Sequence, residues 1–99
     1  MIPTSWLKAR IATPTVEAVH EAEMDALGLN PAERERLRAR GASARWREEW
    51  ERFVAEMADG DELWAFESPP ETWADLAGTA GYTVVRDGAP VAVLISRRS

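Results

Sequence analysis

Apolar residues recur at helical spacing in the first part of the chain and alternate like strands in the last part. From Val16 to Leu27 they return every three or four residues, and Gly28 follows. This spacing predicts an amphipathic helix over about 14–27, with one packed face and one acidic, solvated face. Thr13 and Pro14 match a helix cap and a first helical position, so we expect the helix to begin there.

A second helix is predicted over about 31–40. Asn30 can cap it, Pro31 suits its first position, and Glu33 can close a capping box. From there to Ala58, Gly41 is the only helix breaker. One long helix through this glycine and two helices separated at it are both possible, and we favour a break or kink there.

The third helix, about 43–58, has the clearest apolar stripe. Trp46, Trp50, Phe53 and Met57 follow one another at helical spacing. We predict that this stripe supplies the main helical part of the core.

The period changes after Gly60, and residues 62–67 alternate as a strand would. Trp64 and Phe66 then share one face, and Leu63 and Ala65 share the other. The following Ser68 and two prolines match a helix start, which predicts a short helix over 69–77 capped by Ser68. Its buried side is expected to carry three apolar residues, Trp73, Leu76 and Ala77.

A β-hairpin is the strongest local prediction. Asp87 and Gly88 separate two runs rich in strand-forming residues, 81–86 and 89–96, as in a type I′ turn. A two-residue loop places Arg86 opposite Ala89, Val84 opposite Val91 and Tyr82 opposite Val93. Pro90 lacks an N–H group, so its position is expected either to face away from a neighbouring strand or to lie at a sheet edge.

These elements together predict one α+β domain over residues 1–99. Helices at about 14–27, 31–40 and 43–58 would pack on a three-stranded antiparallel sheet formed by 62–67, 81–86 and 89–96. The termini, 1–12 and 97–99, are the segments expected to fray.

Composition narrows the function classes. The chain has 99 residues, a net charge of −5, no cysteine and a single histidine. Disulfides, cysteine-ligated metals and thiol nucleophiles are therefore excluded, and an acidic domain is a poor candidate for nucleic-acid binding. No apolar run approaches the length of a membrane span, so we expect a soluble, cytoplasmic protein with no membrane partner.

A recurring pattern occupies residues 60–91: GDELW-x-F-x-SPP-x-x-W-x-x-L-x-G-x-x-GY-x-x-VR-x-G-x-x-V. In this segment the chain resembles a set of small uncharacterised bacterial proteins. Members often have arginine where this chain has Thr79, and often end in asparagine where this chain ends in Ser99. The resemblance carries no activity, cofactor or partner with it.

Catalytic motifs are scarce. Glu17 and His20 have the spacing of a di-iron helix, and Glu21 lies beside them. Such a site needs ligands from further helices, which only a second subunit could supply here. A metal-dependent enzyme with a site between subunits is therefore an alternative, and we otherwise expect no cofactor, no metal and no enzymatic activity.

Charge is segregated along the chain. No basic residue occurs from Glu56 to Asp75, whereas 34–52 is rich in arginine, including Arg38 and Arg45. Asp59, Asp61 and Glu62 form an acidic turn that needs a cation or an arginine to compensate it.

This layout predicts a non-enzymatic binding or regulatory protein that acts through protein contacts, with a homodimer possible through the arginine-rich helices or the sheet edge. An alternative is an acidic inhibitor, of the phage, plasmid or toxin–antitoxin type, that blocks a basic or nucleic-acid-binding site. Six candidate partner-binding residues follow: Asp59, Asp61, Glu62, Trp6, Arg38 and Arg45. For Trp6 we favour a contact that fastens the N-terminal segment to the body over a partner anchor.

Overall fold

The computed structural model describes residues 2–12, 14–41 and 43–98. They form two compact units: a sheet unit, Met1–Ala12 with Met57–Ser99, and a helical unit, Thr13–Glu56. The fold is α+β, as predicted, with an antiparallel sheet of four strands instead of three. The predicted packing of the helices on the sheet stays a prediction.

The helical unit contains α1 (Val16–Leu27), α2 (Pro31–Arg40) and α3 (Ala44–Ala55). Thr15 caps α1, and its hydroxyl accepts a hydrogen bond from the amide of Ala18 at 3.2 Å. The predicted start at Pro14 is therefore wrong, because a hydroxyl one residue later caps the helix; Thr13 lies outside the described residues. The predicted end is confirmed, since Gly28 caps α1 in the left-handed conformation.

The predicted separation of the second and third helices is confirmed. Asn30 and Glu33 form the expected capping box, and Gly41 ends α2 with a φ of 66°. Ser43 then caps α3 through a hydrogen bond from the amide of Trp46. The third helix ends at Ala55 rather than 58, so the predicted stripe loses Met57.

The helical unit buries Val16, Val19, Met24 and Trp50. Trp50 is only 1% exposed, and its indole N–H donates to the carbonyl oxygen of Pro14 at 2.8 Å. Its ring also lies beside those of Trp46 and Phe53, with centroids 6.2 and 6.0 Å away. Trp50 therefore joins α3 to the segment that leads into α1.

The sheet unit begins with a 3-10 turn (Thr4–Trp6) and continues with β1 (Leu7–Arg10), β2 (Glu62–Glu67), α4 (Pro70–Ala74), β3 (Thr79–Arg86) and β4 (Ala89–Arg98). The strands lie in the order β1-β2-β3-β4, each antiparallel to the next. The expectation that the whole of 1–12 frays is wrong, because β1 pairs with β2 and the amide of Ile11 donates to Leu63.

The hairpin turn is confirmed, whereas its register is only partly right. Asp87 and Gly88 have φ values of 52° and 79°, as a type I′ turn requires. Arg86 lies opposite Ala89, but Val84 lies opposite Ala92 instead of Val91. The register shifts just after Pro90, which cannot donate a ladder hydrogen bond, so Val91 becomes the extra residue of a bulge.

This shift changes which residues share a face. Tyr82 lies opposite Leu94, and Val93 lies opposite Thr83. The predicted common face of Tyr82 with Val93 is therefore wrong, because one inserted residue exchanges the two faces of a strand.

The central strand is buried on both faces. Every residue of β3 from Ala80 to Val85 is buried. In β2 the buried residues are Leu63 and Phe66, which lie on opposite faces of a regular strand. The sheet core therefore involves both faces around β2 and β3.

Candidate functional site

The acidic turn before β2 is compensated by an arginine from β3. Asp61 accepts two hydrogen bonds from the guanidinium of Arg86, at 2.9 and 2.8 Å, and a third from the amide of Ala58. The Asp61 side chain is only 2% exposed. Hydrogen bonds from Arg86, with a smaller effect of the Ala58 amide, lower the pKa of Asp61 to about 2.

The other two carboxylates of the turn differ from Asp61. Glu62 accepts a hydrogen bond from the indole of Trp64 at 2.9 Å and lies 3.9 Å from Arg10. Asp59 is exposed. Of the three residues predicted to bind a partner here, Asp59 is thus the most accessible, and Asp61 already has a bidentate partner.

We expect the Asp61→Asn variant to lose stability in a pH-dependent way. The folded-state pKa of Asp61 lies below its ordinary 3.8, so the ion pair stabilises the fold above pH 3.8 and is lost as the pH falls to about 2. In urea unfolding, the variant should have a lower free energy of unfolding than wild type at neutral pH, and this difference should shrink as the pH falls through this window. The Asp59→Asn variant is the control and should match wild type throughout. A difference in unfolding free energy that does not change with pH would contradict the stabilising role of the Asp61–Arg86 ion pair.

The acidic face of α1 is paired within the helical unit. Arg38 donates to both carboxylate oxygens of Glu21, with contacts of 2.8 to 3.3 Å, and these bonds lower the pKa of Glu21. Two more ion pairs repeat this arrangement along the face, Arg47 with Glu17 and Arg34 with Asp25. The arginine-rich segment thus neutralises part of the acidity of its own unit.

Arg38 and Arg45 differ in how they are held. Arg38 has the bidentate contact with Glu21, whereas the Arg45 side chain is 90% exposed and reaches Glu49 with a contact of 3.4 Å. Their proposed role in partner binding stays a prediction.

The predicted metal residues have other partners. Glu17 and Glu21 form ion pairs with arginines, and His20 is half-buried. Among the described residues, no group of three or more histidine, aspartate or glutamate side chains could hold a metal ion. A site completed by a second subunit stays a prediction.

Trp6 closes the 3-10 turn before β1. Its amide donates to the carbonyl oxygen of Pro3 at 3.1 Å, and the residue is half-buried. The turn leads directly into β1, which joins the N-terminal segment to the sheet. Both roles of Trp6, fastening the N-terminal segment to the body and anchoring a partner, stay predictions.

The loop between α4 and β3, residues 75–78, has an unusual leucine. Sequence spacing predicts Leu76 and Ala77 on the buried side of a helix over 69–77, but α4 ends at Ala74. Leu76 has a φ of 58° and is 79% exposed, and Ala77 is exposed too. The prediction is wrong because the helix ends before Leu76 and Ala77, so helical spacing no longer decides which of these side chains is buried.

Hydroxyl groups fasten the base of this loop. Ser68 does not cap α4, contrary to prediction; its hydroxyl accepts a hydrogen bond from the Thr79 amide and lies 2.6 Å from that of Thr72. Because the Thr72 hydroxyl donates to the carbonyl oxygen of Pro69, Ser68 donates to Thr72. Ser68 is 2% exposed, so this network ties both ends of the α4 segment to β3.

Trp73 holds the other side of the loop. A Cβ atom on Gly78 would lie 2.3 Å from the Trp73 ring, so the ring packs directly on the glycine backbone. The Trp73 indole N–H donates to the carbonyl oxygen of Ser68, and the guanidinium of Arg97 lies 5.7 Å from the ring centroid. Leu76 is therefore exposed on a loop whose two ends are fixed.

Sequence reasoning missed two residues of this unit. Arg86 becomes visible only through the β2–β3 register, which places Glu62 opposite Val85 and so Asp61 next to Arg86. Leu76 carried no signal of exposure, because its spacing fits a helix face. Asp59, Asp61 and Glu62 lie together in one turn, whereas Arg38 and Arg45 belong to the helical unit.

Comparison of the chain with protein-family models, curated proteins and solved structures found no match. Within residues 2–12, 14–41 and 43–98, no helix has both the length and the apolar character that a bilayer crossing requires.

Proposed function

We propose that the protein is a non-enzymatic binding module that contacts another protein through the loop at residues 75–78, with Leu76 as the anchor. One observation carries the proposal. Leu76 combines a left-handed backbone with a side chain that is 79% exposed.

Of these two properties, only the exposure is ordinary. Exposed leucines are common on protein surfaces. A bulky residue with positive φ is rare and costs about 1–2 kcal/mol, which is why helices usually end in glycine at this position. Leu76 bears this cost without gaining burial within its own chain, and strained residues cluster where proteins bind their ligands.

The contacts of the loop also hold it in one conformation, which favours binding. The hydroxyl network of Ser68, Thr72 and Thr79 fixes its base, and the Trp73 ring covers Gly78. Binding to a fixed loop loses less conformational entropy than binding to a mobile one. A leucine on such a loop can enter a partner's pocket at a small ordering cost.

The charges around Leu76 indicate the chemistry of the partner. Glu71 within α4 and Asp75 directly after it are both exposed. The chain has no lysine or arginine between Arg52 and Arg86. The basic group placed at this loop is Arg97 of β4, which lies over the Trp73 ring. An apolar pocket with a basic rim complements this surface. A target with a basic site is also what an acidic inhibitor would block, so the loop favours that form of the proposal.

Crosslinking at position 76 tests the proposal. A diazirine analogue of leucine at position 76 should capture one protein in cells that naturally produce this chain, through a segment rich in lysine and arginine. The same analogue at Leu27, which is 55% exposed on α1, is the matched control and should give no such adduct. Absence of an adduct at position 76, or the same adducts at both positions, would reject the proposal.

The Leu76→Asn variant separates binding from folding. Asparagine tolerates the left-handed conformation, so the free energy of unfolding should stay equal or rise by up to about 1 kcal/mol. Capture of the crosslinked protein, assayed by its retention on the immobilised chain, should be lost. A clear loss of stability in urea unfolding would instead assign Leu76 a structural role.

A further inference from the structure

The two edges of the sheet differ in what they offer to another strand. Within the described residues, no strand pairs with the outer edge of β1 or of β4. β1 has four residues, two of them the exposed Lys8 and Arg10. Short and charged edges are the ones that resist pairing. β4 has ten residues and is apolar through its middle.

The part of β4 that is regular enough to pair with another strand lies between its two register shifts. Ala92 to Ile95 pair regularly with β3. The carbonyl oxygen of Ala92 accepts a hydrogen bond from the Thr83 hydroxyl at 2.7 Å, so it points toward β3. Because backbone groups alternate in direction along a strand, the N–H and C=O groups of Val93 and Ile95 point toward the open edge.

The charged residues at the two ends of β4 have opposite signs, so two copies of the strand attract each other when they run antiparallel. Asp87 precedes the strand, and Arg97 and Arg98 end it. All three are exposed. If two copies of β4 run antiparallel about a two-fold axis near Val93, the end with Arg97 and Arg98 in each strand lies toward the Asp87 end of the other. A parallel arrangement would instead bring like charges together.

We propose that two copies of this chain pair through the outer edges of β4, antiparallel, so that their sheets join into one. The contact uses the same surface on both copies and therefore closes as a dimer. Pairing of β4 with β1 of another copy would leave edges open at both ends, and β1 provides only four residues. The register shifts confine regular pairing to four residues, so the dimer is weak and depends on concentration.

Sedimentation equilibrium of the full chain over a range of concentrations tests the dimer. Hydrogen exchange at low and high concentration locates it: the amides of Val93 and Ile95 should become protected as the dimer forms, whereas those of β1 should not change. A chain that stays monomeric at every concentration would overturn the proposal, and so would protection that appears only in β1.

Variants separate this edge from other surfaces. Val91→Lys places a charge on an exposed residue of β4 and should weaken the dimer by about tenfold or more. Arg98→Glu removes the attraction between the arginine end of one β4 strand and Asp87 of the other. It should weaken the dimer less than Val91→Lys does, and the dimer should become less sensitive to salt. Leu27→Lys is the control and should leave the dimer unchanged. A dimer that both β4 variants leave intact would refute the pairing, and Arg98→Glu keeps the test decisive if Val91→Lys disturbs the fold.

Discussion

Replacement of Trp50 by alanine is expected to lower the free energy of unfolding by about 3–5 kcal/mol, the range for deletion of a buried tryptophan or phenylalanine side chain. Trp50 is 1% exposed, and it connects α3 to the segment before α1 through its hydrogen bond to Pro14. The variant loses that hydrogen bond and leaves a cavity next to the rings of Trp46 and Phe53. A domain of ordinary stability has about 5–15 kcal/mol in total, so one substitution removes a large part of it.

Urea unfolding followed by circular dichroism measures this effect. Trp50→Phe is the matched variant: it keeps an aromatic ring but lacks the N–H donor, and should cost less than Trp50→Ala. Trp46→Ala, at a half-buried position of the same helix, should also cost less. Equal losses for Trp46→Ala and Trp50→Ala would show that burial of Trp50 does not dominate the stability of α3.

The Gly81→Ala variant is expected to lose about 3 kcal/mol, at the upper end of the usual cost of overpacking. A Cβ atom at this position would lie 2.1 Å from the carbonyl oxygen of Leu94. The obstacle is backbone of the adjacent strand, so no rotation of a side chain can relieve it. The strands β3 and β4 must separate locally, and the buried neighbours Ala80 and Tyr82 must move with them.

Gly28→Ala is the control for this substitution. Gly28 has a φ of 64°, and no heavy atom beyond its chain neighbours lies within 4 Å of the position that a Cβ would occupy there, so alanine meets only backbone strain, about 1–2 kcal/mol. Unfolding free energies and hydrogen exchange of the β3 and β4 amides would measure both variants. If Gly81→Ala costs no more than Gly28→Ala, the close approach of Leu94 to Gly81 is wrong.

Local signals in the chain predict several element boundaries. The capping box of Asn30 and Glu33, the break at Gly41 and the turn at Asp87 and Gly88 are confirmed. Each depends on residues within a few positions of one another, and their chemistry acts at that range. This is why these features could be read without knowledge of the tertiary structure.

Long-range pairing explains the errors. The segment Leu7–Arg10 does alternate apolar and basic residues, but four residues are a short signal, and the partner β2 that completes the ladder lies more than fifty positions away. The bulge at Val91 likewise appears only when β4 is aligned with β3. The Asp61–Arg86 ion pair requires the register of β2 on β3, which no local spacing reveals.

The candidate site shows the same difference between features set by local sequence and features set by long-range contacts. The acidic character of the segment from Glu56 to Asp75 is evident in the sequence. Which carboxylates are accessible is not, because Asp61 is enclosed by Arg86 while Glu71 and Asp75 remain exposed. The sequence predicts a buried Leu76, since its spacing suits a helix that in fact ends two residues before it.

By itself the sequence determined the α+β class, the capping box of α2, the tight turn and the absence of cysteine chemistry, all of which follow from residue type and short-range geometry. Only the tertiary structure decided the fourth strand, the strand registers, the partner of Asp61 and the exposure of Leu76. The physical reason is that backbone pairing and burial depend on residues far apart in the chain, and a single bulge in a strand moves every side chain that follows to the other face.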